Sequence, residues 1–242
     1  MNSSIKSRNR GFTLIETLLA IGVLTVLLTG FMMVFGPAVA GVRKALNVEE
    51  VDRLSSTLEQ EMVTLRGGSA SSKITTGFAQ AFEWIRDSNT ANDALLVYQY
   101  RGSLSSIRAD GTPTPEPVIK NKLPGKDYAV VTMARRKSDA KLSEDLAGIE
   151  GGVYLVKCTQ LIFGNGQWKP GTPGKIADPK GVGGNADSAD DYPDAVIAFA
   201  ADFFALPSKS ASYFASGGGF SKTFDALKNK KPVFTRNLAV RR

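Results

Sequence analysis

Glu16 is the residue whose chemistry most demands an explanation, because it stands at the head of 26 uncharged residues running from Thr17 to Val42. An ionised acid near the centre of a bilayer costs roughly 2.5–3.5 kcal/mol or more, so acids in such segments are usually paired and functional. The natural counter-ion is an amine at the same depth. Three cations, Lys6, Arg8 and Arg10, come first, and no acid precedes Glu16. A basic leader ahead of an apolar segment reads as an export or membrane-targeting signal. The small residue at the boundary, Gly11, stands before the apolar run rather than after it. Removing the leader there would leave the hydrophobic segment on the mature chain as its first element. The new amino group, on Phe12, would lie four positions before Glu16, within reach on one helix or from a staggered neighbour. A Glu solvated by headgroups at the membrane interface is the plainer alternative.

The order Gly11-Phe12-Thr13-Leu14-Ile15-Glu16, after a basic leader and before about twenty apolar residues, resembles the type IV prepilin family. That family includes the pilins and the pseudopilins of type II secretion. The resemblance ends near Val42, and no family signature follows it. It implies that a prepilin peptidase, an aspartic protease of the inner membrane, cuts between Gly11 and Phe12 and methylates the new amino group of Phe12. It also implies a single-pass inner-membrane precursor with its head outside the cytoplasm. The partners implied are other pilin or pseudopilin subunits and the assembly platform, with Glu16 pairing to an amino terminus in a filament of packed helices.

Other chemistry is sparse. Histidine is absent and Cys158 is the single cysteine, which excludes Ser-His-Asp and Cys-His catalysis, most catalytic zinc sites and any intrachain disulfide. Cys158 closes the apolar run from Val153 and reads as a buried, inert thiol. No catalytic pair of carboxylates stands out, so neither enzymatic activity nor a cofactor is expected. Asp178, Asp187, Asp190, Asp191 and Asp194 gather with Asn185 in a glycine-rich stretch. Such oxygens suit calcium, with Asp187, Asp190 and Asp191 as the candidates, but their spacing departs from the EF-hand pattern, and a solvated acidic loop is the better reading. The tail interleaves Lys222, Lys228, Lys230, Lys231, Arg236, Arg241 and Arg242 with Phe224 and Phe234. Cations among aromatics can bind nucleic acid. Solvated charges on a helix and an edge strand explain them without a ligand, and the net charge of +7 falls by three with the leader, so nucleic acid is not the expected partner.

These residues need elements to hold them. The expected organisation is a leader (1–11), a transmembrane or filament-core helix (12–42), its amphipathic continuation (43–66) and a globular head (67–242). Gly36-Pro37 predicts a kink or local melting, unless it is simply tolerated as in many membrane helices. Val48, Val51, Leu54, Leu58, Met62 and Leu65 recur every three or four residues and mark one buried face, with Gly67-Gly68 as the stop. In the head, a second helix is expected over Thr76 to Arg86 and a strand over Asp93 to Tyr100. Gly102-Ser103 then reads as a turn leading into a second strand, Leu104 to Arg108. The proline-rich stretch Asp110 to Lys126 reads as loop. Further strands are expected over Tyr128 to Ala134, Gly152 to Phe163, Ala195 to Leu206 and Val233 to Val240, with a short helix or turn over Phe220 to Leu227. Gly164 to Pro193 is too poor in apolar residues to predict any core.

Several β runs without long interleaved helices predict an antiparallel sheet laid on the amino-terminal helix, an α+β, pilin-like arrangement. The expected function is therefore a structural subunit, a minor pilin or pseudopilin of a type IV pilus or secretion pseudopilus. Two rivals remain: a signal-anchored membrane protein with a solute-binding or enzymatic head that never polymerises, and a minor pilin that binds DNA for uptake.

Overall fold

A helix of 50 residues, α1 (Leu14–Val63), opens the computed structural model, which describes residues 13–66, 76–180 and 184–242. The chain divides into two compact units, Met1–Leu46 and Asn47–Arg242. In the first unit α1 is helical through Gly36-Pro37 without interruption, so the expected local melting is not seen. Pro37 has no N–H, which leaves the carbonyl of Met33 without its intrahelical donor. In the second unit the three–four spacing holds where it is described: Val51, Leu54, Leu58 and Met62 are wholly buried. Leu65 leaves that face and is half exposed. The side chain of Val48, and Gly67-Gly68, lie outside the described residues.

α1 stops at Val63, earlier than the glycine pair, because the next helix closes its end. α2 (Gly77–Asp87) starts against Val63 so tightly that a Cβ on Gly77 would lie 2.3 Å from the Val63 carbonyl oxygen. Gln80 then donates its amide to the carbonyls of Glu61, Met62 and Thr64 at 3.0, 3.2 and 3.0 Å. A helix end leaves four carbonyls without partners, and here a neighbouring side chain supplies the donor.

The strands are β1 (Leu95–Ile107), β2 (Pro113–Pro115), β3 (Ala129–Arg136), β4 (Ile149–Gly164), β5 (Gln167–Pro170), β6 (Val196–Ala205) and β7 (Phe234–Arg241). They form one antiparallel sheet in the order β2-β1-β4-β6-β7, with β3 on β1 and β5 on β4. Alternation sends Leu95 and Val97 of β1, Val156 and Cys158 of β4, and Ile197, Phe199 and Phe203 of β6 into a core shared with α1 and α2. The opposite side chains, Leu96, Tyr98, Tyr100, Val153 and Leu155, enter a second core. That one is covered by α3 (Ala140–Asp145), α4 (Ala211–Phe214) and α5 (Phe220–Ala226), which contribute Leu142, Phe214, Phe220 and Phe224. The α+β class is as expected, with the added finding that short helices close the second face of the sheet.

Two local expectations fail. The turn predicted at Gly102-Ser103 does not exist, since β1 runs straight through to Ile107 with Gly102 paired to Ala129 and Pro115. A Cβ on Gly102 would lie 2.7 Å from Pro113 Cβ and 2.8 Å from Val131 Cγ2, so glycine is needed there for close approach rather than reversal. The chain reverses at Gly111 instead, where Arg108 N–H donates to the Thr112 carbonyl at 2.8 Å, and Pro113–Pro115 returns as β2.

The stretch from Gly164 to Pro193 is not without structure or core. Asn165 and Gly166 both have positive φ, 54° and 77°, the signature of a two-residue type I′ hairpin turn into β5. Beyond it, Ile176 and Tyr192 are buried in the α1/α2 core, Tyr192 against Phe78 and Phe82. Gln160 anchors this loop by bonding both backbone groups of Ala177, at 2.7 and 2.8 Å. Apolar residues spaced singly among glycines carry no periodicity, yet a loop tied down at one point can still bury them.

Candidate assembly site

The first described residues of α1 form a reciprocal cap. Thr13 donates its backbone N–H and its hydroxyl to Glu16 Oε2, both at 2.9 Å, and Glu16 N–H reaches the Thr13 hydroxyl at 3.3 Å. This is a capping box: a Thr at the helix start and a Glu three residues later satisfy each other's otherwise orphaned donors. The Thr-x-x-Glu spacing before an apolar run is legible in the sequence, although the partners expected for Glu16 were the Phe12 amine, on its own or a neighbouring helix, and lipid headgroups. The carboxylate is exposed, so the cap leaves it open to a further donor. Gly11 and Phe12 lie outside the described residues.

Beyond the cap, α1 presents apolar side chains in every direction. Leu14–Val39 has a mean hydropathy of 2.5 with none of it buried, and among the described residues it is the one helix long and apolar enough to cross a membrane. Its hydroxyls do not need water. Thr17, Thr25 and Thr29 donate to the carbonyls of Leu14, Ile21 and Thr25, each at 2.8 Å. Phe31 and Phe35, one turn apart, stack with ring centroids 3.9 Å apart. A helix apolar on all sides is a buried or membrane-spanning helix. Among the described residues nothing buries this stretch.

The head holds one buried ionic cluster that the sequence did not reveal. Asp145, wholly buried, accepts from Tyr98 OH at 2.6 Å and Arg135 Nε at 2.9 Å, and its other oxygen lies 2.8 Å from Arg108 NH1. Arg135 also reaches Asp110 and Asp139, each at 2.9 Å. Burial pushes the Asp110 carboxyl up, but hydrogen bonds from Thr112 and Arg135 outweigh it and hold the pKa down at about 2. Burial, with Asp145 beside it, pushes the Tyr98 phenol well above its ordinary range. The cluster's carboxylates are all matched by guanidinium groups, which ties β1, β3, α3 and the turn at Gly111 together.

The remaining predicted sites are dispersed. Burial pushes the Cys158 thiol up to about 12, as an inert core thiol requires. Asp191 is held by Ser188 at 2.6 Å, while Asp187 contributes its backbone carbonyl to Arg86 at 2.9 Å. Among the described residues no group of three or more Asp, Glu, Cys or His is placed to hold a metal, Asp187, Asp190 and Asp191 included. The basic tail is divided among separate tasks. Phe224 is core; Arg236 binds Asp52 at 3.1 Å and Ser55 at 2.7 Å on α1; Arg242 caps the Ala189 carbonyl and stacks 4.9 Å from the Phe78 ring.

Residues 6–32 match the family described as the prokaryotic N-terminal methylation motif. No curated protein and no solved structure matches the chain. The matched segment spans the cations of the leader, the Gly11–Glu16 hexapeptide and the membrane-length helix as far as Met32, and from Thr13 onward its geometry is the one set out above. Proteins carrying this motif are generally structural rather than enzymatic. The chain bears the type IV prepilin-type signature, on a transmembrane helix followed by an α+β head.

Proposed function

We propose that this chain is a structural subunit, a minor pilin or pseudopilin, of a type IV pilus or a type II secretion pseudopilus. One observation supports this above others: the methylation motif sits on a helix that is apolar on every side and has no burial of its own. In this reading prepilin peptidase cuts between Gly11 and Phe12 on the cytoplasmic face and methylates Phe12. The precursor waits as a single-pass protein of the inner membrane with its head outside the cytoplasm. The assembly platform then extracts it into a filament, where neighbouring helices replace lipid around Leu14–Val39.

Glu16 has two partners in turn. Before assembly it closes the helix start with Thr13, which lowers the cost of an acid at membrane depth by supplying two donors. In the filament the exposed carboxylate takes the amino group of Phe12, on its own or a neighbouring subunit, and so sets the stagger. The wide, loop-rich head, with its three-residue β2 and long 171–195 connection, favours a minor subunit over an abundant repeating one.

Glu16→Ala tests the reading. Processing and membrane insertion are expected to persist, because the cleavage site and apolar run are intact, while recovery in sheared filaments or pseudopili falls by about tenfold or more, as for a lost ion pair of roughly 1.4 kcal/mol or more. Incorporation equal to that of the unaltered chain would overturn the role given to Glu16.

A further inference from the structure

The connection between β2 and β3 is an unusual loop. Residues 117–126 read Pro-Val-Ile-Lys-Asn-Lys-Leu-Pro-Gly-Lys, three large apolar residues and three lysines with no acid among them. Val118, Ile119 and Leu123 are 56, 48 and 59% exposed, far more than a soluble surface needs from a ten-residue loop. Lys122 pairs with Glu116 at 3.0 Å, whereas Lys120 and Lys126 make no ion pair among the described residues.

The loop is held, not loose. At one end Glu116 N–H donates to the Arg101 carbonyl at 2.7 Å, and Arg101 NH1 donates to the Ile119 carbonyl at 3.0 Å. At the other, Asp127 accepts from Leu123 N–H at 2.8 Å, and Gly125 N–H donates to the Tyr128 carbonyl at 2.8 Å. The flanking acids are thus turned to internal work, and the exposed remainder is apolar and cationic.

Its place in the head follows from a chain of direct contacts. Arg101 lies 4.4 Å over the Tyr128 ring and 3.3 Å from Glu150, which also accepts from Tyr128 OH at 3.1 Å. The residues after Glu150 meet α1: Gly152 N–H and Tyr154 OH both donate to Glu50, at 3.5 and 2.7 Å. Glu50 lies within one turn of Asn47, where α1 enters the second unit. The loop therefore sits at the end of the head by which the chain arrives from the apolar run. Only seven residues lie between Val42 and Glu50, a span of at most about 29 Å even when fully extended, so the covalent tether alone keeps this end near a bilayer that holds the apolar run.

The geometry points to residues 117–126 as a docking loop for an anionic lipid surface, with Val118, Ile119 and Leu123 entering the headgroup boundary and Lys120 and Lys126 meeting lipid phosphates. Apolar residues flanked by cations are the composition that binds an interface and responds to its charge. The contact holds the head of the stored precursor against the membrane and is broken when the subunit is withdrawn. The inference rests on the membrane-anchor reading of α1.

The test uses the full chain in lipid nanodiscs, with Val118→Cys carrying an environment-sensitive fluorophore; buried Cys158 stays unlabelled. In discs rich in phosphatidylglycerol and containing a headgroup-depth quencher, fluorescence is expected to fall by about two-fold or more. Quenching should be lost in phosphatidylcholine discs, and lost again with Lys120→Glu/Lys126→Glu. Equal quenching in both lipids, no quenching in either, or shielding seen only when two chains share a disc, which would mean a second copy covers the loop, each overturns the proposal. A chain that fails to co-elute with the discs overturns the membrane anchor and this inference together, whereas co-elution with an unquenched label overturns this inference alone.

Discussion

From Leu14 to Val39 every side chain of α1 is exposed, whereas twelve residues further on Val51, Leu54, Leu58 and Met62 are buried without remainder. Both stretches are α-helical, and only Pro37 in the first lacks its backbone donor. The difference lies in what surrounds them. The second stretch is amphipathic and its apolar face is matched, residue by residue, by α2 and the sheet. The first is apolar all round, its three hydroxyls back-bonded and its one acid capped, so it is finished as a chemical object but lacks a solvent. One helix thus carries two kinds of information: a face that specifies its own head, and a surface that specifies an environment the chain does not contain.

Perturbing the buried side should cost the most. Asp145→Ala strands the guanidinium groups of Arg135 and Arg108 in the core, and breaking one partner of a buried ion network costs about 3–5 kcal/mol. Urea denaturation of the detergent-solubilised chain should show a loss of that size, and a change under 1 kcal/mol would mean that water or a rearrangement compensates the cluster. Leu58→Ala sharpens the contrast within α1. Removing a wholly buried Leu should cost roughly 2–5 kcal/mol, while Leu24→Ala, in the exposed stretch, should leave the unfolding of the head unchanged. If both variants shift the same transition equally, the division of the helix into two regimes is wrong.

The smallest effect is a pH dependence. The Asp110 pKa in the folded protein, about 2, lies below its ordinary value of 3.8, so its contribution is full above about pH 5 and fades as the pH falls through 2. That contribution is about 2 kcal/mol. Denaturation midpoints measured from pH 6 down to pH 2 should fall accordingly, and Asp110→Asn should flatten the slope. A slope that survives in Asp110→Asn would assign it to other carboxylates.

What the sequence exposed and what it hid divide along the same physical line. Periodic features were legible: the uncharged run, the stripe through Leu54 and Leu58, the helix at α2, and the strands β4, β6 and β7 each announce themselves within a dozen residues. Gly102 misled because glycine serves both reversal and close approach, and only the neighbours Pro113 and Val131 show which. Asn165-Gly166 carries a hairpin signal that the surrounding glycines and prolines mask. Thr13 and Glu16 are likewise legible as a capping box, a local pairing that coexists with any counter-ion the carboxylate takes. The cluster of Tyr98, Arg108, Asp110, Arg135 and Asp145 was not legible at all. Its members span 47 positions and meet only after β1, β3 and α3 have folded. The loop at residues 117–126 shows the same limit, since its composition was visible as a proline-rich stretch while its tie to Arg101 was not.

The central claim is that the apolar helix stays on the mature protein and begins at a modified residue. Intact mass and fragmentation of the chain purified from membranes should show the leader through Gly11 removed and N-methyl-phenylalanine at Phe12, followed directly by the Thr13–Glu16 cap. A mature chain that retains Met1, or one that begins beyond Val42 with the whole apolar helix gone, would contradict it.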